Sequence, residues 1–189
     1  MIFYIIIALS FTQCNSSKKA ISNSKTIHQE TKLEKFPNSW LGEWKGSLDI
    51  FGAEGKKQTL AMQLHILPIE NTDRYSWTII YGDDLEKGKR AYELITIDST
   101  KGIYSIDEKN TINLECYFFK DKLFSRYDVM NNLILVTYEK QGDKMIFEVI
   151  SGKHKEVSTT GNTTHEGEEI PPVKTYPIGV MQRAVLNKM

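Results

Sequence analysis

Four histidines, two acidic pairs and two cysteines carry most of this chain's potential for catalysis or metal binding, and their spacing assembles no familiar site. His154 and His165 fall in one long loop together with Glu166, Glu168 and Glu169. Imidazole and carboxylate are ligands for a zinc-like ion, but a Gly- and Thr-rich loop fixes no geometry, and no metal is expected. His65 alternates with Gln63 opposite an apolar face and reads as a surface residue, while His28 lies in a polar leader. Asp83-Asp84 and Asp107-Glu108 could divide acid and base roles if a cleft pushed their pKa values apart. Both pairs fall between strand-like segments, where Asp serves turn geometry and solvation. Gly-x-Ser-x-Gly, His-Glu-x-x-His, Cys-x-x-Cys, the phosphate loop and the dinucleotide fingerprint are all absent. A protein that is not an enzyme, with no catalytic residue and no cofactor, is expected.

The aromatic residues are more suggestive. Tyr75, Trp77, Tyr81, Tyr92, Phe118, Tyr127 and Phe147 fall in phase with alternating apolar positions, with Thr96, Ser125 and Thr137 among them. A few polar groups set in apolar walls are the composition of a small-molecule cavity. The candidate lining set is Met62, Leu64, Tyr75, Trp77, Tyr81, Tyr92, Cys116, Phe118, Ser125, Tyr127, Thr137 and Phe147. The same residues could equally fill a solid interior.

Positioning such a set requires strands. From Trp40 onward, segments of period two recur between turn signals such as "GAEGKK", "ENTD", "DSTKG" and "KQGDK". The first places Trp44, Leu48 and Ile50 on one face and Glu43, Lys45, Ser47 and Asp49 on the other. The second aligns Leu60, Met62, Leu64 and Ile66, and the last runs from about Ile178 to Leu186. Ten strands with short connections predict an all-β, antiparallel, up-and-down arrangement with no major helix. Closing ten strands into one barrel removes the edges that would otherwise pair with other chains; a two-sheet sandwich is the alternative. Residues 152–177 interrupt the rhythm as a long loop, of the kind that forms functional lids or stays irregular.

Composition narrows the class. The 189 residues suit one domain with a real core. Lys+Arg and Asp+Glu balance at 24 each, and no basic block interleaves with aromatics, so no nucleic-acid partner is expected. Ile2 to Leu9 is almost wholly apolar and stops at "SFTQCN", too short for the ~20 residues of a membrane-spanning helix but suited to a signal h-region. The run ending at Cys14 resembles a bacterial lipoprotein signal, which implies lipidation of Cys14 and anchorage in the cell envelope. Residues 1–14 are then the signal, residues 15–39 a Ser-, Lys- and Asn-rich tether, and residues 40–189 the barrel.

Gly42-x-Trp44 opening an antiparallel barrel is similar to the calycin superfamily of lipocalins and fatty-acid-binding proteins. In lipocalins that tryptophan closes one end and an arginine from near the end of the fold packs across it; the resemblance implies Trp44 and Arg183 as the barrel-closing pair. No helix follows the barrel as in lipocalins, and no helical pair separates the first strands as in fatty-acid-binding proteins. The resemblance therefore covers architecture over residues 40–187. It implies a small hydrophobic ligand inside the barrel of a lipid-anchored envelope protein. The alternative is a solid barrel whose 152–177 loop or outer face engages an envelope protein.

Overall fold

The structure is a computed structural model and describes residues 35–189. Strands β1 (Gly42–Gly52), β2 (Gly55–Pro68), β3 (Arg74–Tyr81), β4 (Lys89–Asp98) and β5 (Ile103–Asp107) follow one another by short turns. So do β6 (Asn113–Phe119), β7 (Lys122–Val129), β8 (Asn132–Gln141) and β9 (Lys144–Lys153). β14 (Val180–Lys188) then inserts between β9 and β1, and the order β1-β14-β9-β8-β7-β6-β5-β4-β3-β2 closes on itself. Every neighbouring pair in this ring is antiparallel. The expected ten-stranded barrel is the fold, and no α-helix occurs among the described residues.

Alternation explains the core. Trp44 and Leu48 from β1, Met62, Leu64 and Ile66 from β2, and Trp77 and Ile79 from β3 all point inward and are buried. Leu94, Tyr104, Ile106, Cys116, Leu123, Tyr138, Met145, Phe147, Ala184 and Leu186 continue the same layer around the ring. The register aligns these positions: Leu48 stands opposite Ala184, and Ala184 opposite Phe147. At the closing seam a Cβ on Gly46 would lie 2.2 Å from the Val185 carbonyl oxygen, so only glycine lets β14 approach β1 this closely.

One end of the barrel is sealed. The folded unit begins earlier than the expected boundary at Trp40, because the last residues assigned to the tether pack into the core. Phe36 is buried, stacked on Phe118 at 4.3 Å and edge-on to Trp40 and Tyr104 at 4.7 and 4.8 Å. The short 3-10 turn Asn38–Trp40 carries Trp40 beneath Trp77, and the Tyr75 hydroxyl donates to Asn38 Oδ1 at 2.8 Å. Trp44 is fully buried in this floor, its indole Nε1 donating to the Trp40 carbonyl at 3.1 Å. Signal, Cys14, His28 and most of the tether lie outside the described residues.

Arg183 is not the partner of Trp44. It stands opposite Asp49 and Glu148 in the register, on the outer face, and pairs there with Glu148. The strand position facing Trp44 is Lys188, whose Nζ lies 5.5 Å from the ring centroid. β14 ends at Lys188 rather than near Leu186, and a side chain five residues from that end can reach neither the floor nor, with its odd parity, the interior.

The expected loop is also structured. β10 (Ser158–Thr160) pairs with β13 (Val173–Thr175), and β11 (Thr163–His165) pairs with β12 (Glu168–Ile170). The result is an exposed two-stranded ribbon, turned at its tip by Glu166 and Gly167 with φ of 51° and 85°. Its Thr-rich strands satisfy their own backbone groups by pairing, which a sequence without buried alternation did not announce.

Candidate functional site

Above the sealed floor, the inward residues of eight strands leave a cavity of about 260 Å³. Three larger concavities lie on the outside: about 530 Å³ in the crook of the ribbon, about 590 Å³ beside Phe119 and Lys122, and about 380 Å³ beside Lys35, Ser39 and Asp121. The interior cavity is the candidate because it combines apolar walls with converging polar groups, the composition of a binding site.

β3 contributes Ile79 and Tyr81, β4 Tyr92, β5 Ile106 and β6 Leu114. β7 adds Ser125 and Tyr127; β8 adds Ile134, Val136 and Tyr138; β9 and β14 complete the wall with Phe147, Val149 and Gln182. Each is in the same phase as its strand's core residues, so the wall is the upper continuation of the packed layer. Glu108, one residue beyond β5, borders the mouth. Its backbone N–H donates to the Ile112 carbonyl at 3.0 Å, and one carboxylate oxygen accepts from Asn110 Nδ2 at 3.2 Å.

The hydroxyls set the chemistry. Burial raises the pKa of Tyr81, and the neighbouring Tyr92 and Tyr127 raise it further. Burial likewise raises Tyr92 and Tyr127, with the Glu108 charge adding to both. All three are neutral donors at physiological pH, and among the described residues none of their hydroxyls is hydrogen-bonded to the barrel. Deeper, Tyr138 is fully enclosed and held far from ionising by burial. Its ring crosses Trp77 at 5.0 Å and 89° and packs on Phe147 at 5.1 Å. The Trp77 indole nitrogen below it is close enough to ease Tyr138 ionisation slightly, yet meets no hydrogen-bond geometry and is left buried without a partner. Ser125 is different: its hydroxyl is committed to the Glu115 carbonyl at 3.0 Å.

Of the residues singled out from the sequence, Tyr81, Tyr92, Ser125, Tyr127 and Phe147 line this cavity. Met62, Leu64, Trp77, Cys116 and Phe118 point into the barrel but belong to its packed portion. Tyr75 packs at the floor. Thr137 is a correction: it stands on the outer face between Phe124 and Glu148. β8 reads Leu-Ile-Leu-Val-Thr-Tyr, apolar on both faces, so its parity cannot be taken from alternation. Cys116, with burial pushing its thiol up to about 11, is a poor nucleophile. The residues missed are Ile134, Val136, Tyr138 and Val149, present as apolar positions but not recognised as wall, and Gln182 and Glu108. Glu108 had only the signal of a turn carboxylate.

The histidines stay apart. His154 Nδ1 lies 2.8 Å from Asp128 on the outside, His165 is at the ribbon tip 3.9 Å from Glu166, and His65 contacts Gln63 on the outer face of β2. Among the described residues no group of three potential ligands is gathered.

No family model matches the chain, and no curated protein matches it. Solved structures are similar in fold. A protein of unknown function from the DUF3598 family of Nostoc punctiforme superposes with a TM-score of 0.55 at 13% identity, over 80% of this chain and 48% of that one. This chain thus spans about half the length of that protein. The S-type phycobiliprotein lyase CPES of Guillardia theta aligns with a TM-score of 0.49 at 7% identity, over 79% and 88% of the two chains. The first likeness is one of fold alone; the second is weaker and adds nothing to it.

Proposed function

We propose that the chain is a lipid-anchored envelope protein whose barrel binds a small, largely apolar molecule. The observation that carries this reading is the half-filled interior. Aromatic side chains pack solidly in the lower barrel, while the upper barrel keeps about 260 Å³ of space bordered by the Tyr81, Tyr92 and Tyr127 hydroxyls, which have no partner among the described residues. Stability alone would favour filling that space, since unfilled volume costs packing energy. Donors aimed into it favour a ligand that accepts from them. The reading involves no catalysis: among the described residues Glu108 is the one carboxylate on the wall, and the Ser125 hydroxyl there is committed to the Glu115 carbonyl. Anchorage rests on Cys14 and the apolar run before it.

Native mass spectrometry of the full chain, released gently from membranes, tests the binding claim. A co-purified small molecule is expected, lost on unfolding; an empty, water-filled barrel that also ignores environment-sensitive fluorescent lipids would sink it. Cys14→Ser should abolish fatty-acid labelling and membrane retention, and unchanged retention would refute the anchor.

A second reading draws on the ribbon. Residues 158–175 project as a paired, fully exposed arm, a shape suited to contact with another envelope protein. Crosslinking pull-downs with and without the ribbon separate the two readings: a partner that depends on the ribbon, with no ligand in the barrel, favours the arm.

A further inference from the structure

We infer that the cavity is built for an amine-bearing, compact apolar molecule and disfavours carboxylates such as fatty-acid anions. The inference rests on the ligand-binding reading above and adds the charge and size of the ligand.

Charge comes first. Among the described residues Glu108 is the one wall residue that carries a formal charge, and no lysine or arginine among them lines the space. Glu108 is half-buried, anchored by its own backbone bond and by Asn110, and its field reaches Tyr92 and Tyr127. A ligand carboxylate brought to this mouth would meet a like charge with no cation on the wall to offset desolvation. Arg90, whose charge opposes the upward shift of Tyr81 and Tyr92, is exposed at the rim, and its Nη1 donates to the Lys87 and Lys89 carbonyls at 3.1 and 2.9 Å. It is held by the β3–β4 turn rather than aimed inward. A protonated amine finds the opposite setting: a carboxylate to pair with and the faces of Tyr81, Tyr92 and Tyr127, whose ring quadrupoles attract cations.

Size comes second. At the roughly 30 Å³ that a water molecule occupies in the liquid, about 260 Å³ corresponds to some nine waters. That accommodates a ring system or a short chain of roughly ten non-hydrogen atoms and excludes a fully enclosed long acyl chain.

The test uses three matched probes with the full chain: octylamine, octanol and sodium octanoate, each below its aggregation concentration, followed by isothermal titration calorimetry at pH 7. Octylamine should bind at least about tenfold more tightly than octanoate, with octanol between. Glu108→Gln, which removes the charge and keeps the shape, should bring amine and acid within about threefold. Octanoate binding as tightly as octylamine overturns the inference while leaving a ligand-binding barrel standing, and loss of octanoate affinity in Arg90→Gln would identify the rim arginine as its partner. An amine preference that survives Glu108→Gln also overturns it, because the selectivity then lies elsewhere. Binding of none of the three removes the ligand-binding reading itself.

Discussion

Replacing Trp44 by phenylalanine isolates what holds the barrel floor together. The indole is fully buried and its Nε1 donates to the Trp40 carbonyl at 3.1 Å, itself in a buried residue. Phenylalanine keeps an aromatic ring in place but removes the donor, and a buried carbonyl left unpaired costs about 1–3 kcal/mol. The lost ring volume of roughly 40 Å³, at about 24 cal/mol per Å³ of residual cavity, adds about 1 kcal/mol. Together the loss should be about 2–4 kcal/mol, which for a chain of this size lowers the melting temperature by roughly 5–15 °C. Urea unfolding of the full chain followed by tryptophan fluorescence and far-ultraviolet circular dichroism measures it. Arg183→Met is the control: it breaks an outer-face pair with Glu148, of a kind generally worth under about 1 kcal/mol. The two substitutions should add within about 0.5 kcal/mol, as independent sites do. A Trp44→Phe loss below about 0.5 kcal/mol would refute the floor as described. A larger coupling between Trp44 and Arg183 would restore the arginine to the indole and refute the register argument.

Three further outcomes are expected. Phe36→Ala, which removes a ring packed against Phe118, Trp40 and Tyr104, should cost about 3 kcal/mol in the same unfolding assay; a loss under about 1 kcal/mol would mean that the segment before Asn38 is dispensable. The Cys116 thiol, fully buried and raised from 9.0 to about 11, should resist a disulfide reagent at pH 8 in a Cys14→Ser background until the chain is unfolded. Because the unfolded chain sheds that proton first, stability should be intact below about pH 9 and fall as pH rises toward 11, by up to about 1.4 kcal/mol per unit. Tyr81, Tyr92, Tyr127 and Tyr138 are raised in the same direction from an ordinary value of 10, so their share is lost as pH rises past 10, and a urea midpoint that held steady from pH 9 to 11 would contradict the burial of these groups. Replacing residues 159–174 by a short Gly-Ser turn should change stability by less than about 1 kcal/mol, since every side chain removed is exposed; a larger drop would show that the ribbon braces the barrel.

Much of the barrel was legible because many of its strands, β1, β2 and β3 above all, announce one buried face by alternation. Trp44 and Leu48, or Tyr75, Trp77 and Ile79, can be placed inside without knowing any neighbour. β8 is an exception: with Leu133 and Leu135 on the outside and Ile134, Val136 and Tyr138 on the inside, both faces look like core and Thr137 was misplaced. The Trp44–Arg183 pairing failed for another reason. Which residue of β14 meets which residue of β1 depends on where the strand ends, and strand ends are the least legible feature of a sequence. Phe36 did leave a signal, an aromatic four residues before Trp40 and just ahead of the Gly42-x-Trp44 motif, but nothing in a polar tether says that its last turn folds back. Glu108 left only the mark of an acidic pair in a turn: that a hairpin carboxylate overhangs a cavity is a property of the closed ring, not of the turn.

The position of β14 also fixes when this protein can become a protein. β1 pairs on one side with β2, a few residues away, and on the other with a strand more than a hundred residues later. Until Val180–Lys188 has been made and delivered, β1 and β9 are both open edges, long and rich in apolar residues. Pairing across so large a separation is slow. A chain that is exported while still unfolded would therefore spend its most vulnerable interval on the far side of the membrane, with sticky strands waiting for their last neighbour. Premature termination anywhere before Val180 would leave that interval without an end, yielding aggregates in place of a shortened barrel.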